Sequence, residues 1–194
     1  MATLNNKNIN TKSQINKKAG LISGYIANNI DSSQEIKRYI YYKSKNPLGS
    51  KGLGYDDELK DQPDITSSLL KLFIRDGFFL DKMASEKDIH VFVHTFKAMP
   101  VSDNVISVRV AIYILTPYEY EYLADFGEKR SYSIAQKIED LLVDMYVDFD
   151  DFMYDDLGNL KFRLIDVSNA RINESDTTIL HTMVLETRMI NRRV

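Results

Sequence analysis

The chain contains no cysteine. That excludes a disulfide framework, thiolate metal sites and a cysteine nucleophile, and it fits a product of a reducing compartment. Histidine is scarce, with three residues, His90, His94 and His181. No Gly-x-Ser-x-Gly sequence occurs, and no serine has a recognisable histidine–acid partnership. No apolar run approaches the roughly 18 residues that cross a bilayer as a helix, so no membrane contact is expected. Four lysines fall within residues 1–18 with no apolar run after them, so no signal peptide is expected. The four prolines, Pro47, Pro63, Pro100 and Pro117, all fall at expected boundaries between elements.

What remains is an ordinary globular composition: 194 residues, 44% apolar and 27% charged, suiting one domain. The net charge of −3 argues against a general nucleic-acid binder while leaving room for a local basic patch. Residues 1–18 are rich in Asn and Lys and carry no acid, which reads as a mobile basic arm. Residues 19–194 then form a single α+β domain, with a helical part at 19–80 and a sheet-and-helix core at 89–190.

The strongest pattern spans Asn104 to Met145. Ile106, Val108, Val110, Ile112 and Ile114 alternate with other residues, Ser107 and Arg109 among them, as in a strand with one buried face. Pro117 ends it. After an aromatic loop from Tyr118 to Lys129, Ile134, Ile138, Leu141, Leu142 and Met145 recur at helical spacing.

Upstream, Asp31-Ser32-Ser33 offers helix N-caps before Ile36 and Ile40. A glycine-rich connector runs from Gly49 to Gly54. It superficially resembles a phosphate loop, but the carboxylates Asp56, Asp57 and Glu58 that follow would repel phosphate. Pro63-Asp64 is expected to open another helix, with Ile65, Leu69, Leu72 and Phe73 as its stripe, followed by the apolar cluster Phe78-Phe79-Leu80. Strands are expected at 89–98, 160–168 and 177–190, the last two joined by a polar turn. The order is helices, then β-β-α-β-β. Four antiparallel strands packed against a helix make an α+β sandwich.

Candidate chemistry is thin. His90 and His94 lie four residues apart on an expected strand, about 13 Å, too far to share one ion. His181 is on another strand that could bring it near one of them. The acids of 144–156 do not meet the EF-hand spacing. No catalytic, cofactor-binding or metal-binding residue is therefore assigned, and the chain reads as a non-enzyme. A metal-dependent nuclease built on Asp64 with Glu128 and Lys129 is the alternative of another class.

Surface features point instead to partners. Tyr118, Tyr120, Tyr122 and Phe126 make the loop before the helix more aromatic than a solvated connection needs. Arg188, Arg192 and Arg193 complement the acids Asp148, Asp150, Asp151, Asp155 and Asp156 in sign, as head-to-tail contacts between copies require.

Residues about 89–190 resemble the tail terminator and head–tail joining proteins of tailed bacteriophages. The resemblance rests on the hairpin ending in Ile106 to Leu115, the arginine-led helix Arg130 to Leu142, and the closing pair Leu160–Leu164 and Ile179–Thr187. It implies a structural virion protein in the neck, assembled in the host cytoplasm. Such a protein would form a homo-oligomeric ring, commonly hexameric, that caps the tail tube and meets the head-side connector. DNA would pass through the lumen without specific binding, and the acids of 148–156 would line it, since weakly interacting walls do not hold phosphate. Another neck component, such as a head-closure protein, is the alternative within this class.

Overall fold

In the computed structural model, residues 6–49, 63–70, 72–76, 87–102, 105–123, 127–143, 146–147, 160–172 and 178–190 are described. Four helices and six strands occur among them: α1 (Asn6–Ser32), α2 (Gln34–Tyr41), β1 (Ile74–Asp76), β2 (His90–Ser102), β3 (Val105–Pro117), α3 (Tyr118–Glu121), α4 (Arg130–Leu142), β4 (Tyr146–Val147), β5 (Leu160–Arg171) and β6 (Thr178–Ile190). The strands form one sheet in the order β1-β2-β3-β6-β5-β4. The four long strands are antiparallel throughout, and the helix between the second and third of them packs on the sheet, as the alternation and helical spacing predict.

Strand β3 is the centre. It pairs with β2 on one side and, over its whole length from Val105 to Pro117, with β6 on the other. Its alternation separates two faces. Ile106, Val108, Val110, Ile112 and Ile114 are buried with Ile22, Ile26 and Ile30 of α1, Ile36 and Ile40 of α2, and Ile134, Ile138 and Leu142 of α4. Val91, Val93, Met183, Leu185, Met189 and Phe162 join them from the neighbouring strands. Each fully buried side chain of this size contributes roughly 1.5–3 kcal/mol, so this one layer holds most of the cohesion. On the opposite face the buried apolar residues form a small cluster around Phe92 and Leu115, with Tyr113, Leu180 and Ile172 against it.

The helices depart from the expected boundaries. α1 starts at Asn6, inside the segment read as an arm, because extending a nucleated helix costs little per residue. Ser33 is the N-cap of α2, its hydroxyl accepting from the Ile36 N–H. The helix expected after Pro63 does not form. Its backbone groups are taken by side chains of the preceding helices: the Gln34 amide bonds both the N–H and the C=O of Ile65, at 3.0 and 3.1 Å. Asp31 accepts the Leu69 N–H and the Ser68 hydroxyl, each at 2.7 Å. Ile65 and Leu69 are still buried, but Leu72 is exposed. A short turn on Leu69 then delivers β1, which runs parallel to β2 and which periodicity over three residues could not reveal. Residues 78–80, the connector beyond Gly49 and residues 103–104 lie outside the described residues. β2 runs on through Met99-Pro100-Val101 to Ser102, beyond residue 98 where the sequence pattern ends it.

Asp31 therefore ties an irregular segment to α1. Replacing it with alanine strands a buried N–H and a hydroxyl, and the Asp31→Ala protein is expected to lose about 2 kcal/mol. Asp31→Asn keeps an acceptor and should lose less. Urea midpoints of the two variants check this, and equal losses would mean that the carboxylate oxygens are not what holds the segment.

Candidate interaction surface

The helix α4 begins at an arginine that is fully buried. Arg130 donates from Nε to the Tyr120 carbonyl at 2.7 Å, and from Nη1 to the carbonyls of Tyr39 and Tyr42 at 2.8 and 2.7 Å. Its Nη2 reaches the Ser44 carbonyl. Tyr39 is in the last turn of α2 and Tyr42 is its C-cap. A helix leaves its last carbonyls without partners, and these are the ones that the guanidinium satisfies. At the other pole, Glu121 is equally buried and caps α4 itself, accepting the N–H and the hydroxyl of Ser131 at 3.2 and 2.5 Å. A carboxylate there meets the positive end of the helix dipole. Burial pushes Arg130 down to about 10, opposed by Glu121, so it remains charged at neutral pH. Burial raises Glu121, opposed by the Ser131 bonds and by the neighbouring cations Lys129 and Arg130.

This knot fixes the turn that carries the tyrosines. The expected loop is partly ordered: Tyr118–Glu121 make one helical turn, and Tyr122 bridges to Lys129. Tyr118 and Tyr122 are 46% and 41% exposed, their rings edge-to-face at 5.5 Å. A hydrogen bond with Tyr122 raises Tyr118, while nearby Arg171 and Lys129 act in the opposite direction. Tyr132, in the first turn of α4, is 44% exposed. Its ring stands edge-to-face on His181 at 4.8 Å, with Lys129 Nζ 5.6 Å above it, and Asn169 donates to its hydroxyl. Three tyrosines and two cations thus share one corner at the end of the sheet. Such a surface presents large, stiff apolar area with polar tips, as association interfaces do.

Not every candidate residue belongs to it. Tyr120 is half-buried, packs on the main core and lies under Lys43, so it serves the fold. Arg188 sits on the face of the sheet opposite the helices, paired with Ser107. Ten residues of β6 separate that row from the tyrosine end, about 33 Å, so Arg188 and the tyrosines do not form one contact surface. Phe126, Arg192, Arg193, Asp148, Asp150, Asp151, Asp155 and Asp156 lie outside the described residues.

The histidines do not converge. His181 pairs with Ile114 and not with Leu115, the partner of His90, so the two project to opposite faces. The suggested approach of His181 to one of the others does not occur. Among the described residues no group of three potential ligands could hold a metal. Asp64 begins no helix; it lies on exposed irregular chain and pairs with Arg38 at 2.7 Å.

Tyr132, Asn169 and Arg171 are not singled out by the sequence, and Lys129 and His181 stand out there only as nuclease and metal candidates, not as parts of a contact surface. Tyr132 had a faint signal, an aromatic off the Ile134–Ile138 stripe. The others come from three separate segments, and only the sheet register brings them together.

The YomW family model matches residues 33–176, about three quarters of the chain. The match runs from the N-cap of α2 to beyond β5 and so includes Arg130, Glu121 and the exposed tyrosines. No curated protein matches the chain.

Two outcomes follow from this geometry. Arg130→Met leaves four carbonyls and a carboxylate without their cation, and should cost about 3–5 kcal/mol in chemical denaturation. A loss below about 1 kcal/mol would show that water replaces the guanidinium easily. The second concerns acid. Burial lowers His181 below its ordinary 6.5, so the unfolded chain takes up this proton first. The stability tied to the neutral ring is present above pH 6.5 and is lost as pH falls through the lowered folded value. His181→Phe should flatten this part of the stability–pH curve below 6.5, and an unchanged slope would assign the acid sensitivity to other groups.

Proposed function

The chain belongs to the YomW family, and we propose that it is a structural virion protein of a tailed-phage neck. In this reading it is a tail terminator: copies close into a ring, hexameric by resemblance, that caps the tail tube and joins it to the head-side connector while DNA passes through the lumen. It is assembled in the host cytoplasm and carries out no catalysis. One observation supports this above the rest. Tyr118, Tyr122 and Tyr132 stand uncovered on a protomer whose core is otherwise well formed. Aromatic side chains held in place by a buried ionic knot are preorganised, and preorganised anchors lower the ordering cost of association. Lys129 and Arg171 beside them favour an acidic neighbouring surface. Tyr120, first read as part of this contact, is left out, because it packs inward.

Native mass spectrometry of the purified full chain should give a closed ring. The double variant Tyr118→Glu, Tyr122→Glu should remain folded by circular dichroism and shift to monomer. A wild-type chain that stays monomeric at its highest soluble concentration, or a ring unaffected by the double variant, would overturn the corner as the subunit contact.

A further inference from the structure

The face of the sheet turned away from the helices has its own chemistry. Lys97 on β2 is directly opposite Arg109 on β3, Arg109 opposite Glu186 on β6, and Glu186 opposite Arg163 on β5. One row of charge therefore crosses all four long strands. In the next row Arg188 lies beside Ser107, and Lys161, adjacent to inward-facing Phe162, projects to the same side by alternation. Lys97, Lys161 and Arg188 are exposed, and the Arg163 side chain is 72% exposed. On the other side of the charged row, Asp166 is opposite Val184. These rows hold five cations against Glu186 and Asp166, on a chain whose net charge is −3.

Glu186 organises the row. Its carboxylate accepts the Ser107 hydroxyl at 2.6 Å and Arg163 Nη2 at 3.2 Å, and lies 3.6 Å from Arg109 Nε. The Ser107 bond is the largest of the effects holding it below the ordinary carboxylate range. It spaces two guanidinia on either side of itself and leaves each with further N–H groups, the donors that match phosphate oxygens in pairs.

We propose that this open face is a contact surface for the phosphate backbone of duplex nucleic acid. The row from Lys97 to Arg163 spans three strand spacings, about 14 Å, enough to reach from one backbone to the other across a groove of about 12 Å. The buried apolar residues of this face gather at its far end, around Phe92 and Leu115, while Met99, opposite Ser107, is an exposed apolar side chain at the β2 edge of the second cationic row. The centre of a protein–protein contact is normally depleted of charge and built on apolar anchors. A cationic row without such a centre suits a polyanion instead. No groove-reading element accompanies it, so contact is with the backbone and independent of sequence. The central carboxylate keeps the contact weak, as suits a surface over which DNA slides. This inference concerns the protomer and holds whether or not the chain closes into a ring.

Fluorescence anisotropy with a labelled duplex of arbitrary sequence, titrated with the full chain at several salt concentrations, tests it. Binding is expected at low salt, with equal affinity for unrelated sequences. The logarithmic salt slope should be about −3 to −4, as three or four phosphate contacts give. Arg163→Gln with Arg188→Glu, both at exposed positions, should weaken binding at least tenfold while the chain stays folded by circular dichroism. Lys97→Glu should weaken it independently. Lys129→Glu with Arg171→Glu, at the tyrosine corner, should leave it unchanged. Absence of binding at low salt, equal loss in the corner variant, or preference for polyglutamate over duplex would each overturn the proposal, the last by identifying an acidic polypeptide as the partner. Ring closure is read separately by native mass, so neither result stands in for the other.

Discussion

Four backbone carbonyls converge on the Arg130 guanidinium, and the helical layer is arranged around that convergence. A charge buried this deeply is tolerable only when every donor finds an acceptor. Here the acceptors are the orphan carbonyls at the end of α2 and the carbonyl of Tyr120. The same few residues include Glu121, which satisfies the start of α4. Two helix ends that would otherwise lie buried and unsatisfied are each closed by a charge of the appropriate sign. The relative placement of α2, α3 and α4 follows, and so does the outward presentation of Tyr118 and Tyr122.

The sheet imposes the second constraint. Side chains alternate across a strand, so a single residue of register decides which face a group occupies. On β3 that rule sends a column of Ile and Val beneath the helices and sends Ser107 and Arg109 to the open side. The fold therefore has a dry, apolar face that supplies its stability and a second face free to carry charge. The cationic row on that second face costs the core nothing, because its members never compete for the same space.

These two constraints also separate the surfaces. The tyrosine corner lies at the Pro117 end of β3, and the cationic row lies toward the Val105 end on the other side. The ring-forming neck role proposed for this chain would need one surface for sister copies and another toward the DNA. A stiff aromatic corner and a weakly cationic sheet face, kept apart by the length of the strands, meet that requirement without sharing residues. The YomW match extends across the ionic knot and the corner, so both belong to the part of the chain that carries the family pattern.

Much of the fold was legible in the sequence because it depends on local period. The alternation of Ile106 to Ile114 determined a strand with one buried face, the Ile134–Ile138–Leu142 spacing determined the helix above it, and the absence of cysteine determined that no disulfide supports either. The failures occurred where non-local groups outbid local preference. Ile65 and Leu69 have helical spacing, but Gln34 and Asp31 take their backbone bonds and hold the segment irregular. Tyr120 reads like its exposed neighbours and is drawn inward by the knot. Arg130 stands in the sequence only as the residue that leads its helix, and only the arrival of α2 makes it a buried group with four carbonyl acceptors. The row of Lys97, Arg109, Glu186 and Arg163 draws on four strands far apart in sequence. By itself the sequence determined which side chains share a face of each element. Only the tertiary structure decided which elements lie side by side, because strand register and helix-end hydrogen bonds are settled between segments and leave no period within any one of them.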